Sequence, residues 1–104
     1  MRKMMKEVQR MQAEMARVQE ELEAKTVEAT SGGGVVRVVV NGHLEVKEIE
    51  IDPGAVDPED VEMLQDMVLA AVNEAIRKAQ EMSAAEMAKV TGGLDLSGLP
   101  GGLF

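Results

Sequence analysis

The sequence predicts an α+β protein in which two long helices flank a β-rich middle segment. Three features carry this prediction: a heptad of apolar residues in the first 25 positions, two β-rich runs joined by Asn-Gly, and an apolar face at helical spacing after residue 58. Such periods are typical of helices, and Asn-Gly between β-branched runs is a strong hairpin signal. The 104 residues are expected to form one dimerising domain at 1–91 and a flexible Gly- and Leu-rich tail at 92–104.

The first helix is predicted over residues 2–25. Its apolar residues follow one another at intervals of 4, 3, 4, 3 and 4 positions, which is a heptad seam set among good helix formers. The seam consists of Met4, Val8, Met11, Met15, Val18 and Leu22. Its heptad spacing favours packing over a soft-metal site as the role of the methionines.

Three strands are predicted next, at about 26–31, at 35–40 and in the run that follows Asn41-Gly42. A type I′ turn at Asn41-Gly42 is expected to join the last two, because both positions tolerate positive φ. The apolar alternation of the third strand changes parity, so a bulge or a strong twist is expected near Lys47-Glu48. The middle strand carries five valines interrupted only by Arg37, and a single helical layer would cover only one of its faces.

The second helix is predicted from residue 58 to about 90, with Asp57 as its N-cap and Pro58 at its first position. Its apolar face comprises Val61, Leu64, Val68, Ala71, Val72, Ala75, Ile76, Ala79 and Met82. The two helices would rise about 36 Å and about 50 Å, whereas a compact domain of this size has a radius of gyration of about 13 Å. Overhanging helices and the doubly apolar strand together predict a homodimer, and a monomer with frayed helix ends is the alternative.

The residue content gives little support to catalysis. There is no cysteine, which removes disulfides, thiolate nucleophiles and Cys-type zinc sites. His43 is the only histidine and has no nucleophile beside it in the sequence. The acidic stretch at 45–62 lacks the alternating ligands of an EF-hand, and the glycines at 32–34 lead into a strand and not a helix. We expect no enzyme activity, cofactor, metal or small-molecule substrate.

Compartment follows from the same composition. The chain lacks the apolar centre of a signal peptide and a run of about 20 apolar residues that would span a membrane. A cytoplasmic protein without a membrane partner is therefore expected.

Positive charge is concentrated at one end of an acidic chain. The formal net charge is −8, yet residues 1–18 hold five basic and two acidic side chains, net +3, which leaves −11 for the rest. At about 100° per residue, the basic residues form a stripe centred about 150° from the apolar seam. The stripe consists of Arg2, Lys3, Lys6, Arg10 and Arg17. It is predicted to bind phosphates of duplex DNA, and the single aromatic residue argues against base stacking. A merely solvated helix face is the alternative from composition alone.

The middle and C-terminal parts carry a family resemblance. The run VVNGHLEVKEIEIDP followed by AVDPEDVEMLQDMVLAAVNEAIRKAQE resembles the YbaB/EbfC family of bacterial nucleoid-associated proteins. The order of parts, from a Met- and Gln-rich helix to a tail with GG and LPG, is also similar. The resemblance implies a helix, a three-stranded antiparallel sheet and a second helix, in a tweezer-shaped homodimer that binds DNA in the nucleoid. It supplies no residue-level DNA-reading motif, so the stripe rests on the helical wheel.

Two other functions compete with DNA binding. One is a protein-interaction or adaptor module that uses Met-lined helices or the Leu-bearing tail. The other is a metal-dependent enzyme using the acidic stretch, which is the weakest of the three hypotheses.

Overall fold

A computed structural model describes residues 2–91 of the chain. The helices and strands, in order, are α1 (Arg2–Ala24), β1 (Thr26–Ser31), β2 (Val36–Asn41), β3 (Val46–Ile51) and α2 (Val61–Thr91), with a 3₁₀ turn at Pro53–Ala55 before α2. This order confirms the predicted α+β class. The tail predicted at 92–104 lies outside the described residues.

The three strands form one antiparallel sheet in the order β1-β2-β3. Val38 of β2 pairs with Ala29 on one side and Ile49 on the other. Along β3, Glu48 lies opposite Val39 and Val46 lies opposite Val40, so Lys47 is the extra residue of a bulge. Of the bulge and the strong twist predicted as alternatives near Lys47-Glu48, the structure therefore shows the bulge, which returns Val46 to the face that carries Ile49.

The hairpin is confirmed, but the prediction of a two-residue type I′ turn at Asn41-Gly42 is wrong. Asn41 ends β2, and its N–H donates to the carbonyl of Glu45 at 3.0 Å. The loop therefore has three residues, and the positive φ, 64°, falls on Leu44. Three-residue hairpin loops place their left-handed residue last. The buried Asn41 side chain holds this geometry, since its Oδ1 accepts from the N–H groups of His43 and Glu45, both at 3.0 Å.

Gly42 serves a different purpose from the predicted one. Its N–H donates to the carbonyl of Leu22 at 2.8 Å and to that of Lys25 at 3.1 Å. A Cβ at this position would lie 2.6 Å from Leu22 Cδ2 and 2.8 Å from the Leu22 carbonyl oxygen. The residue is thus a glycine because the hairpin tip closes directly on the C-terminal end of α1, whose last carbonyls need donors.

The start of α2 differs from the prediction by about three residues. Asp57 is not the N-cap, because its Oδ1 accepts from Glu59 N–H at 2.9 Å and its carbonyl from Asp60 N–H at 2.9 Å, which closes a separate turn. Asp60 is the N-cap: its Oδ1 accepts from the N–H of Met63 at 3.2 Å. Pro58 fits the second position of such a turn as well as it fits the first position of a helix.

The core lies between α2 and two of the three strands. Ala71, Ala75 and Ala79 of α2 are fully buried against the sheet. Their partners in the cluster are the inward residues of β1 and β2, Ala29, Val36, Val38 and Val40. Small side chains let α2 approach closely, and Ser31 Oγ donates to the Met67 carbonyl at 2.6 Å. The core does not extend to β3.

α1 runs antiparallel along the C-terminal part of α2. Val18 and Leu22 of its seam are buried, whereas Met4 is 72% exposed and Val8 53%. Lys25 Nζ bonds to Glu86 Oε1 at 2.8 Å, and Glu14 and Val90 line one depression between the helices. α2 therefore ends level with about residue 14 of α1. Residues 2–13, which we call the arm, project past α2, so that the molecule measures 68 × 28 × 16 Å, as the helix lengths predicted.

Candidate nucleic-acid interface

The structure places all five residues of the basic stripe on the exposed surface of α1. Four of them belong to the arm, and Arg17 lies where α1 packs beside α2. The helix holds them on one side because their spacings keep close to its 3.6-residue period. The stripe divides into two groups, according to whether a residue has a carboxylate partner within residues 2–91.

Arg10 and Arg17 are engaged by carboxylates of their own helix. Arg10 bonds to Glu7 at 2.8 Å, and Arg17 bonds to Glu14 and Glu21, both at 2.6 Å. These hydrogen bonds raise the pKa of both guanidinium groups, through Glu7 for Arg10 and first through Glu14 for Arg17. A phosphate at either arginine must compete with a carboxylate already in place. These pairs are spaced by three or four residues, a spacing that predicts ion pairs on a helix. A helical-wheel projection of the basic residues alone does not show them.

Arg2, Lys3 and Lys6 have no ion pair or hydrogen-bonding partner among residues 2–91. They lie at the start of α1, which has no acidic residue in its first turn. The backbone N–H groups of that turn give the helix start a positive partial charge, and nearby cations cost about 0.3–1 kcal/mol each instead of stabilising it. Both the side chains and the backbone at the tip of the arm therefore favour an anion.

The other basic residues are committed within the described chain. Lys25, Lys47 and Lys89 each lie within ion-pair distance of a glutamate, Lys78 Nζ donates to the Glu28 carbonyl at 3.1 Å, and Arg77 pairs with Glu74 and Glu81. Among residues 2–91, the cations that have neither an ion pair nor a hydrogen bond are thus confined to the tip of the arm.

The outer face of the sheet is a poor surface for a polyanion. Arg37 is held there by three carboxylates, Glu28 at 2.8 Å, Glu50 at 2.9 Å and Glu48 at 3.3 Å. One guanidinium against three carboxylates leaves a local charge of −2, which repels phosphates. Val39, on the same face, is only 8% exposed, so the doubly apolar β2 does not itself present an uncovered apolar face.

A large apolar surface lies on the inner face of β3, which α2 leaves uncovered. Val46 is 43% exposed, Ile49 46% and Ile51 36%. They pair with Val40, Val38 and Val36, and so point to the side on which α2 packs. Exposed apolar residues grouped in this way typically mark an interaction surface.

One flank of α2 continues that surface. Leu69 is 60% exposed and forms a shallow apolar depression with the half-buried Leu64, Val68 and Val72. Lys78 lies on the other flank, where its Nζ reaches Glu28 of β1, so the flank that carries Leu69 faces β3. We call the combined surface the apolar corner and define it by Val46, Ile49, Ile51, Leu64, Val68, Leu69 and Val72.

The remaining candidates have structural roles. Within residues 2–91, no three His, Asp or Glu side chains come together in a way that could hold a metal ion. His43 Nε2 lies 2.7 Å from the carbonyl of Gln19, which ties the hairpin tip to α1. The glycines at 32–34 all have positive φ, between 61° and 100°, as a tight turn requires. None of the described helices is long and apolar enough to span a bilayer.

The sequence matches a known family of DNA-binding proteins. The sequence model of the YbaB/EbfC DNA-binding family matches residues 1–94. The chain belongs to this family. A nucleoid-associated protein of Pelotomaculum thermopropionicum is 63% identical over 99 residues, covering 95% of this chain and 94% of that protein. A nucleoid-associated protein of Moorella thermoacetica is 63% identical over 98 residues, covering 94% of each.

The fold also occurs in a solved structure. The crystal structure of an uncharacterized Helicobacter pylori protein superposes with a TM-score of 0.67 at 27% identity, covering 75% of this chain and 82% of that one. The resemblance of the sequence to YbaB/EbfC proteins is thereby confirmed, and the family is one of DNA-binding proteins and not of enzymes.

Proposed function

We propose that this YbaB/EbfC protein is a homodimer of the bacterial nucleoid whose two arms bind phosphates of duplex DNA. Arg2, Lys3 and Lys6 make the primary contacts, and Arg10 and Arg17 join when DNA displaces their carboxylates. The observation that carries the proposal is the tip of the arm, where three exposed cations lack a carboxylate partner within residues 2–91. Nucleoid-associated relatives from other bacteria support the same location.

The apolar corner supports the dimer. Packing one corner against that of a second copy would remove the rest of Ile49, Ile51 and Leu69 from water. Because about half of each side chain is already buried, this contributes about half of the 1.5–3 kcal/mol of complete burial, or about 1 kcal/mol each. A two-fold axis uses the same patch on both copies, as most homodimers do. The arm does not take part in this surface, so each dimer would present two cationic tips.

Salt dependence of DNA binding tests the phosphate contacts. Three contacts on each of two arms predict a slope of log affinity against log salt of about −5, from about −0.9 per phosphate. Replacing Lys3 and Lys6 with glutamine removes four contacts per dimer and should reduce the slope to about −2. The matched control is Lys47→Gln with Lys78→Gln, which changes the net charge equally on the body. Equal effects of the two pairs would refute the assignment to the arm.

Glu7→Gln tests the second group of cations. It frees Arg10 from its carboxylate, so DNA binding should tighten and the salt slope should become steeper by about two contacts per dimer. Adding Arg10→Gln should cancel the gain. A gain that survives the second change would show that the mere loss of negative charge, and not Arg10, is responsible.

Ile49→Asp with Leu69→Asp tests the dimer. Sedimentation should give the 11.2 kDa of one chain instead of twice that mass, and the salt slope should fall to about half because one arm binds alone. Glu48→Gln, on the opposite face, is the control. A variant that remains dimeric would place the contact elsewhere.

The second candidate function is the adaptor module, which the exposed Met4 and Met5 favour, since methionines are common on promiscuous binding surfaces. Protein partners that stay bound after nuclease treatment, combined with no DNA binding at low salt, would support it over the first.

A further inference from the structure

The arm has an apolar side as well as a basic one. Met4, Met5 and Val8 are 72%, 65% and 53% exposed, and with Gln9 and Gln12 they line a shallow apolar depression. We call Met4, Met5 and Val8 the distal seam, because Met4 and Val8 continue the heptad that buries Val18 and Leu22. The same stripe of α1 is thus covered at one end and open to water at the other.

The end of α2 points toward the distal seam. α2 covers the seam as far as Val90, which shares a depression with Glu14 and Val18. Since the two helices are antiparallel, α2 ends level with about residue 14 of α1 and points toward the tip of the arm. Val8 lies about 9 Å further along α1 and Met4 about 15 Å. Thirteen residues, 92–104, extend up to about 43 Å, so three to five of them cover the distance.

The composition of that segment matches the surface. Residues 92–104 contain Leu94, Leu96, Leu99, Leu103 and Phe104, and Asp95 is their only charge. A merely solvating tail has low hydrophobicity and high net charge, and this segment has neither. Leu94 and Leu96 would lie on the same side of an extended chain, with Asp95 on the other. Gly92-Gly93 would allow a change from helical to extended backbone after α2.

We propose that residues 92–104 continue along the arm beyond the end of α2 and cover the distal seam, with Leu94 and Leu96 packed on Met4, Met5 and Val8. Attachment to α2 favours this occupant over a separate molecule, because a short linker holds the segment at an effective concentration of about 1 mM. The tail then continues the role of α2 in covering the heptad, and leaves the basic stripe on the opposite side of α1 free. The inference does not depend on DNA binding or on the apolar corner.

Thiol labelling tests this docking cleanly, because the chain contains no cysteine. Val8→Cys reports on the distal seam, and Ala13→Cys, exposed on the opposite side of the same arm, is the matched control. If the tail docks with a local dissociation constant of about 0.1 mM, Val8→Cys should react with maleimide about tenfold more slowly than Ala13→Cys. Leu94→Ser with Leu96→Ser in the full chain should equalise the two rates, whereas Asp95→Ser should not.

Two results would overturn the proposal. Equal rates in the unmodified tail would show that the seam is open. Protection that persists in the Leu94→Ser, Leu96→Ser chain would show that another molecule covers it, and a second copy would be identified by protection that disappears on dilution. In the positive case, Val8→Cys with Leu96→Cys should form a disulfide within one chain under mild oxidation. DNA affinity is not a readout here, so the result is independent of the phosphate contacts.

Discussion

The contact between the hairpin tip and α1 makes Gly42→Ala the most informative single substitution for the fold. A Cβ there would lie 2.6 Å from Leu22 Cδ2, 2.7 Å from Leu22 Cβ and 2.8 Å from the Leu22 carbonyl oxygen. Unstrained heavy-atom contacts between carbons need about 3.5–4.0 Å. Because one of the three atoms is backbone, a change of the Leu22 rotamer cannot relieve the clash, and the hairpin tip must move away from the helix.

The cost follows from two parts. Forcing a methyl group into a packed site costs about 1–3 kcal/mol. Moving the tip also stretches the bond from Gly42 N–H to the Leu22 carbonyl, 2.8 Å long, which contributes about 1 kcal/mol. The free energy of unfolding should therefore fall by about 2–4 kcal/mol. For a domain of this size each kcal/mol lowers Tm by about 4–8 °C, so a decrease of at least about 8 °C is expected.

Thermal unfolding by circular dichroism at one fixed protein concentration measures this change, since dimerisation would make Tm depend on concentration. Gly54→Ala is the control, because its Cβ would meet only Asp52 Oδ1, at 3.3 Å, and it should change Tm little. A Gly42→Ala protein within about 0.5 kcal/mol of the original would refute the view that close approach to α1, and not turn conformation, dictates this glycine.

Three further predictions concern stability. Asp60→Ala removes the acceptor for Met63 N–H and should lower the free energy of unfolding, measured with urea, by about 1 kcal/mol. An unchanged free energy would show that Asp60 is not the N-cap of α2. Leu44→Asn should raise the free energy of unfolding by about 0.5–1 kcal/mol, because Leu44 has φ of 64° and asparagine tolerates that region better. Hydrogen bonds, first from Lys25 and then from Lys89, lower the pKa of Glu86 in the folded protein. The contribution of these bonds to folding stability is therefore complete above the unfolded pKa of about 4.3. It is lost as the pH falls through the lower pKa of the folded state. Urea unfolding should therefore show stability falling more steeply below about pH 4.3 in the original protein than in Glu86→Gln, and parallel curves would contradict this.

The sequence predicted the elements well because each has a local signal. The heptad of α1, the β-branched runs and the parity change in β3 all depend on neighbours within a few positions. Turn details were less predictable. Asn41-Gly42 satisfies the rule for a type I′ turn, but Gly42 is required by Leu22, twenty positions away, and that contact arises only when the hairpin meets α1.

The site was predictable only in part for a similar reason. A helical-wheel projection located the basic stripe on one side of α1. The ion pairs of Arg10 and Arg17 depend on side-chain conformations and on nearby glutamates, which a projection of the basic residues alone does not include. The apolar corner needed the three-dimensional arrangement, because the exposure of Ile49 depends on which strands α2 covers. The doubly apolar β2 suggested a partner surface, whereas the uncovered apolar residues lie on the neighbouring strand.

The geometry of the arm explains how so acidic a chain could bind DNA at all. Residues 1–10 carry a net charge of +3, and since the whole chain has −8, the remaining residues carry −11. Lys6 lies about 12 Å and Arg2 about 18 Å beyond the level at which α2 ends. Both distances exceed the Debye length of about 8 Å at physiological ionic strength, so the acidic body is largely screened from the tip. Lower salt lengthens the range of the repulsion between the acidic body and DNA, as well as that of the attraction between the arm and DNA. Affinity should consequently rise less below about 0.05 M salt than the phosphate contacts alone predict. Removing one heptad of the arm, Glu7–Ala13, whose two charged residues cancel, would shorten the arm by about 10 Å and bring Lys6 and Arg2 within the repulsive range.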